Sequence, residues 1–107
     1  MHLNRDPVLS MLGIAAKSGN IASGEFSTEK AVKAGQAFLV IVSSEASVNT
    51  RKKFENMTAF YQVPCYFYGD KESLGRCIGK EFRASLAITD ENLAQAVERK
   101  LKMITTE

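Results

Sequence analysis

The chain has 107 residues, 45% apolar and 24% charged, an ordinary globular composition for one continuous domain over residues 1–107. Fourteen basic against twelve acidic residues leave a formal charge of +2, too little to name a partner, so only the placement of charge can do so. The longest apolar run, Ala37 to Val42, is six residues long against the ~20 of a membrane-spanning helix; Met1-His2-Leu3-Asn4 is no secretory leader, so a soluble, cytoplasmic protein with no membrane partner is expected.

Asp6-Pro7 has the chemistry of a helix start, a capping oxygen and then a residue with fixed φ and no N–H to satisfy. Val8, Leu9, Leu12, Ala15 and Ala16 follow at helical spacing, and Gly19 supplies the stop. A short strand over Asn20 to Ser23 comes next, then a helix carrying Ala31, Val32 and Ala34 between Gly24 and Gly35. Phe38-Leu39-Val40-Ile41-Val42, apolar on both faces, reads as a central strand covered on both sides. From Ser47 onward, Val48, Phe54, Met57 and Tyr61 recur roughly every three to four residues until Pro64, giving a third helix with Arg51-Lys52-Lys53 on its wet side. Cys65 to Tyr68 is a third strand, and Leu74, Cys77 and Ile78 mark a short helix. Leu86-Ala87-Ile88 is a fourth strand, and Asp90 caps a last helix with Leu93, Val97 and Leu101 on one stripe. Strands alternating with helices imply right-handed crossovers, hence an α/β fold: a three-layer α/β/α sandwich with a mostly parallel four-stranded sheet.

Cys65 and Cys77 stand twelve positions apart and the only histidine is His2, so neither a disulfide scaffold, a metal site nor a cofactor is expected. Neither cysteine has a base in reach, and both read as buried structural thiols. The glycine-rich phosphate cradles and the nucleophile elbow are missing, and the central strand ends in Ser43-Ser44 rather than in magnesium-holding acids, so no enzyme is expected. In such sheets ligands gather beyond strand ends, which selects Ser23 to Ser27 and Glu81 to Ser85. Gly24 feeds a helix whose first N–H groups are free to meet phosphate oxygens. Lys30 and Lys33 lie one turn apart on it, while Glu25 and Glu29 oppose a purely electrostatic phosphate site. Arg76 and Lys80, also one turn apart and near Arg83, form a second basic group.

The run Ile-x-x-Gly-x-x-x-x-x-Lys-Ala-Val-x-x-Gly from Ile21 to Gly35, Leu74-Gly75-Arg76-x-Ile78-Gly79, and Arg83-Ala84-Ser85-Leu86-Ala87-Ile88 together resemble the ribosomal protein family whose members bind kink-turn RNA. Ser23-Gly24-Glu25, Ser44-Glu45-Ala46-Ser47 and Asn49-Thr50 are most like its bacterial YlxQ-type branch. The likeness runs from the first helix to Asp90 and implies the same α/β/α sandwich, with a sharply bent RNA as partner and a ribosomal or other ribonucleoprotein setting. Ribosomal proteins are then neighbours, and a monomer is expected. The resemblance implies Gly24 for close backbone approach, Lys30 for a phosphate or guanine edge, and Glu81 to Ser85 for an extruded base, with Phe82 or the stem of Arg83 stacking on it. Many members carry Asn-Glu where this chain has Phe26-Ser27, side chains that read the guanines of tandem sheared G·A pairs, and often Lys at the place of Ala22. A phenylalanine neither donates nor accepts, so that readout is lost or remade by Glu25, Ser27 and Thr28, and weaker affinity is expected. Phe26 itself has two readings: exposed it suits a base, and folded back on the core it is a helix staple. The expected RNA contacts are Gly24, Glu25, Phe26, Ser27, Lys30, Lys33, Arg76, Lys80, Phe82, Arg83, Ala84 and Ser85. The alternative is a scaffold or regulatory module of the same fold that has lost its kink-turn affinity.

Overall fold

A computed structural model describes residues 6–105, so His2 and the amino-terminal tetrapeptide lie outside the described residues. The elements alternate as expected: α1 (Pro7–Lys17), β1 (Ile21–Ser23), α2 (Glu25–Lys33), β2 (Leu39–Val42), α3 (Val48–Tyr61), β3 (Cys65–Phe67), α4 (Lys71–Cys77), β4 (Ser85–Ile88) and α5 (Glu91–Thr105). Asp6 starts α1 as its chemistry predicts, its Oδ1 accepting from the N–H groups of Val8 and Leu9 at 2.9 and 3.1 Å. Ser47 caps α3, Asp70 caps α4 and Asp90 caps α5 in the same way.

The side-chain alternation of the two inner strands builds two cores. Leu39, Ile41, Leu86 and Ile88 face one way, into Val8 and Leu12 of α1, Leu74 of α4, and Val97 and Leu101 of α5. Val40, Val42 and Ala87 face the other way, into Ala31 and Val32 of α2 and Phe54 of α3. Every residue of β2 and β4 is buried, as a strand covered by helices on both faces requires. Each fully buried Leu, Ile or Val side chain contributes ~1.5–3 kcal/mol, so these layers carry the stability. On α3 the buried face is Phe54 and Thr58 rather than the full expected set. Val48 is 66% exposed, because at ~100° per residue it points well away from Phe54. Tyr61 lines up with Phe54 but sits in the last turn, where it is only partly covered.

The sheet corrects one expectation: it is mixed, not mostly parallel. Its order is β1-β4-β2-β3, with β2 parallel to β3 but β4 antiparallel to both β1 and β2. The cause is the segment between β3 and β4. After α4 the chain doubles back along it: Lys80 N–H donates to Gly75 O at 2.8 Å, and Arg83 N–H donates to Lys71 O, at the start of the helix, at 3.0 Å. The outward run and the return cancel, so β4 begins at the end of the sheet where β3 stops and must run the opposite way. A parallel strand would need a crossover that ends at the far side of the sheet.

This reversal gathers four chain segments at one end of the sheet. Ser43 N–H donates to Ala84 O at 2.8 Å, Ser44 N–H to Gly69 O at 2.8 Å, and Gly24 N–H to Ser85 O at 2.9 Å. The ends of β1, β2 and β3 and the beginning of β4 therefore meet beside the start of α2.

Candidate nucleic-acid interface

Gly24 ends β1 and opens α2 with φ 91° and ψ 162°, a backbone conformation that L side chains rarely adopt. Among the described residues, α2 is the helix whose start has no side-chain cap. The first N–H groups of the helix therefore have no capping side chain to satisfy them, and a Cβ built on Gly24 would meet nothing within 4 Å. The turn presents amide hydrogens across open space, an arrangement suited to an oxyanion or a closely approaching backbone.

Phe26, one residue into α2, is 77% exposed, so its ring is not a staple on the core. Ser27 is exposed beside it, and Thr28 is turned in, its hydroxyl accepting from Ser85 Oγ at 3.4 Å. Lys30 is exposed and has no ion-pair partner among the described residues. Lys33 lies at the opposite end of α2 and is bound to Glu29 at 2.7 Å, so the fold does not bring it to the Gly24 turn.

Two carboxylates stand on the same helix. Lys53, reaching across from α3, bridges both, at 2.8 Å from Glu25 Oε2 and 2.8 Å from Glu29 Oε1. The hydrogen bonds from Lys33 and Lys53 hold the Glu29 carboxyl down to about 2, so it stays ionised in ordinary buffers. The run Arg51-Lys52-Lys53 gave the only sequence signal for this contact, and it reads there as a plain solvated face.

The loop before β4 closes the other side. Arg83 Nε donates to Ser23 Oγ at 3.1 Å, and its Nη1 donates to Phe82 O at 2.8 Å, which fixes the guanidinium beside the Gly24 turn. Phe82 is 66% exposed. Ala84 packs partly against the α2–α3 core, and Ser85 is fully buried, so both serve this corner through their carbonyls, which hold Ser43 and Gly24. Arg76, Lys80, Glu81 and Phe82, with Glu72, surround an open cavity of about 400 Å³. Arg76 is ion-paired with Glu72 across one turn of α4. Lys80 also lines a neighbouring hollow of about 220 Å³ with Ile21 and Ser23, which joins the α4 group to the Gly24 turn.

The cysteines stand apart from this surface. Cys65 and Cys77 are unpaired and half-buried rather than fully buried, and burial pushes the Cys77 thiol up to about 11, far from a reactive thiolate.

Residues 6–98 match the ribosomal protein L7Ae/L30e/S12e/Gadd45 family. The chain is 37% identical over 84 residues to the RNA-binding protein YlxQ of Bacillus subtilis, an alignment spanning 78% of this chain and 84% of that one. It is 32% identical over 89 residues to the large ribosomal subunit protein eL30 of Candida albicans, spanning 81% and 84%. Its fold superposes with a TM-score of 0.89 and 35% identity on a protein of unknown function from Bacillus halodurans, covering 92% of this chain and 99% of that one.

Proposed function

The chain belongs to the ribosomal protein L7Ae/L30e/S12e/Gadd45 family, in the branch of the YlxQ proteins, and from that premise we propose that it is a non-enzymatic, cytoplasmic, monomeric protein that binds kink-turn RNA, in the ribosome or another structured RNA. One observation carries this reading: the uncapped start of α2 at Gly24, with open space beside it, Lys30 without an ion-pair partner among the described residues, and Arg83 pinned to Ser23 at its flank.

The roles follow from the chemistry of each group. The α2 amides and Lys30 take phosphate oxygens of the bent backbone where the groove is widened, and Gly24 lets that backbone come close. The Phe26 ring offers a stacking face and no hydrogen-bonding edge, so this position reads shape rather than guanine identity. The cavity beside Phe82 is of a size that holds a small ligand and takes an unpaired nucleotide, its base on the ring and its phosphate on Arg76 and Lys80. Arg76 must exchange Glu72 for phosphate, at little cost, since an exposed ion pair is worth only ~0–1 kcal/mol.

The test is a titration of a kink-turn duplex against a control duplex whose sheared pairs are replaced by Watson–Crick pairs. Preference for the kinked RNA is expected, with Lys30→Ala weakening it by about ten-fold or more, the loss of one charge-assisted contact. Equal affinity for the two duplexes, or no binding at low salt, would overturn the reading.

A further inference from the structure

Lys53 reaches this corner from α3, and its geometry does not suit RNA contact. Its ammonium lies 2.8 Å from Glu25 Oε2 and 2.8 Å from Glu29 Oε1, and it sits over the Phe54 ring at 5.9 Å from the centroid. Two of its three donors are thus taken, whereas Lys30 on the neighbouring helix is unpaired among the described residues. Glu25 is the first residue of α2, directly beside the uncapped amides, and its side chain is 54% exposed. A carboxylate in that place favours the helix dipole but competes with any phosphate for the same amides and repels it.

We propose that Lys53 is a positioning residue for RNA binding, one that does not touch the RNA but neutralises Glu25 and holds it and Glu29 against α3, clear of the α2 amides. This rests on the RNA-binding reading above and adds to it the cause of the corner's tolerance for anions. With Lys53 in place, Glu25 and Glu29 are offset by Lys30, Lys33 and Lys53; without it, Lys30 and Lys33 only match the two acids in charge, and Lys33 is at the far end and already bound to Glu29. Removing a charge that touches nothing on the RNA should then cost affinity through the two acids it leaves exposed. Charge removal at Lys53 is accordingly a switch on the site, exerted from outside it.

The experiment is a double-mutant cycle on the intact chain with the kink-turn duplex, in Lys53→Met, Glu25→Gln/Glu29→Gln and the triple variant, with Lys53→Arg as the conservative control and thermal unfolding to show that each is folded. Lys53→Met alone should weaken binding by about five-fold or more, Lys53→Arg should restore most of it, and in the Glu25→Gln/Glu29→Gln background Lys53→Met should change affinity by less than about two-fold. An equal loss in both backgrounds would make Lys53 a direct contact and overturn the proposal, as would no loss in either, which would leave it a structural staple. Wild-type protein that ignores the RNA would remove the RNA-binding reading and this role with it, whereas tight wild-type binding with an unrescued loss would remove the role alone.

Discussion

A Cβ built on Gly75 would stand 1.1 Å from the carbonyl oxygen of Glu81. That oxygen belongs to backbone, not to a side chain that can swing away, so any substitution must push the return loop off α4. The loop carries Lys80, Phe82 and Arg83, which makes Gly75 a buried residue that sets the position of exposed ones. Gly75→Ala should destabilise the fold by roughly 2–3 kcal/mol, the upper range for overpacking, read as a lower urea midpoint. It should also weaken RNA binding beyond what the unfolded fraction explains, because the Arg83–Ser23 bond is broken with the loop. Unchanged stability would mean that the loop can move without resistance. This constraint was half legible in the sequence: Leu74-Gly75-Arg76 marked the helix, but no spacing announces which backbone will cross it. Phe26 was similarly open, since a ring at that place satisfies either a staple or an exposed stacking face, and only the packing of the folded chain, which leaves the ring 77% exposed, decides.

The α2–α3 pair has its own titration. Glu29 lies at about 2 in the fold against an ordinary 4.5, because Lys33 and then Lys53 donate to it. A depressed carboxylate pKa stabilises the folded state at pH above 4.5, and that contribution drains away as pH falls from 4.5 towards 2. The thermal midpoints of wild type and Glu29→Gln should therefore differ at neutral pH and converge on acidification through that window. A gap that stays constant with pH would detach the network from stability. Helix and strand positions were largely readable, because caps such as Asp6 and Ser47 and the all-apolar run at β2 are local signals. Strand direction was not. The rule that a strand, a helix and a strand make a parallel unit holds when the connection crosses the sheet, and here α4 and its return loop end where they began. The ion pairs of Lys53 were hidden for a related reason: its partners lie 28 and 24 positions earlier in the chain, and no periodicity relates residues on different helices.

A formal charge of +2 spread over 107 residues makes a weak general field, so steering by overall charge cannot supply the affinity. What the fold offers instead is local: the reversed β4 brings Arg83, Lys80 and Arg76 to the end of the sheet where α2 begins, while Lys33 and Lys53 are occupied by Glu29 and Glu25. Phosphate contacts are then limited to Lys30, Arg76, Lys80 and Arg83, even if all four engage. Each neutralised phosphate contributes about 0.7–0.9 to the slope of log affinity against log salt, so four contacts give a slope of about −3 and a loss near 60-fold between 50 and 200 mM salt. Titrations of the kink-turn duplex across that range should yield this value, and Lys80→Ala should reduce the slope by just under one without altering the preference for kinked RNA. A slope near −6 would enlist further cations, with Arg51 and Lys52 on the exposed side of α3 the first to test. A flat response would mean that the duplex is held without its phosphates, and the cationic corner built by the antiparallel β4 would have no part in binding.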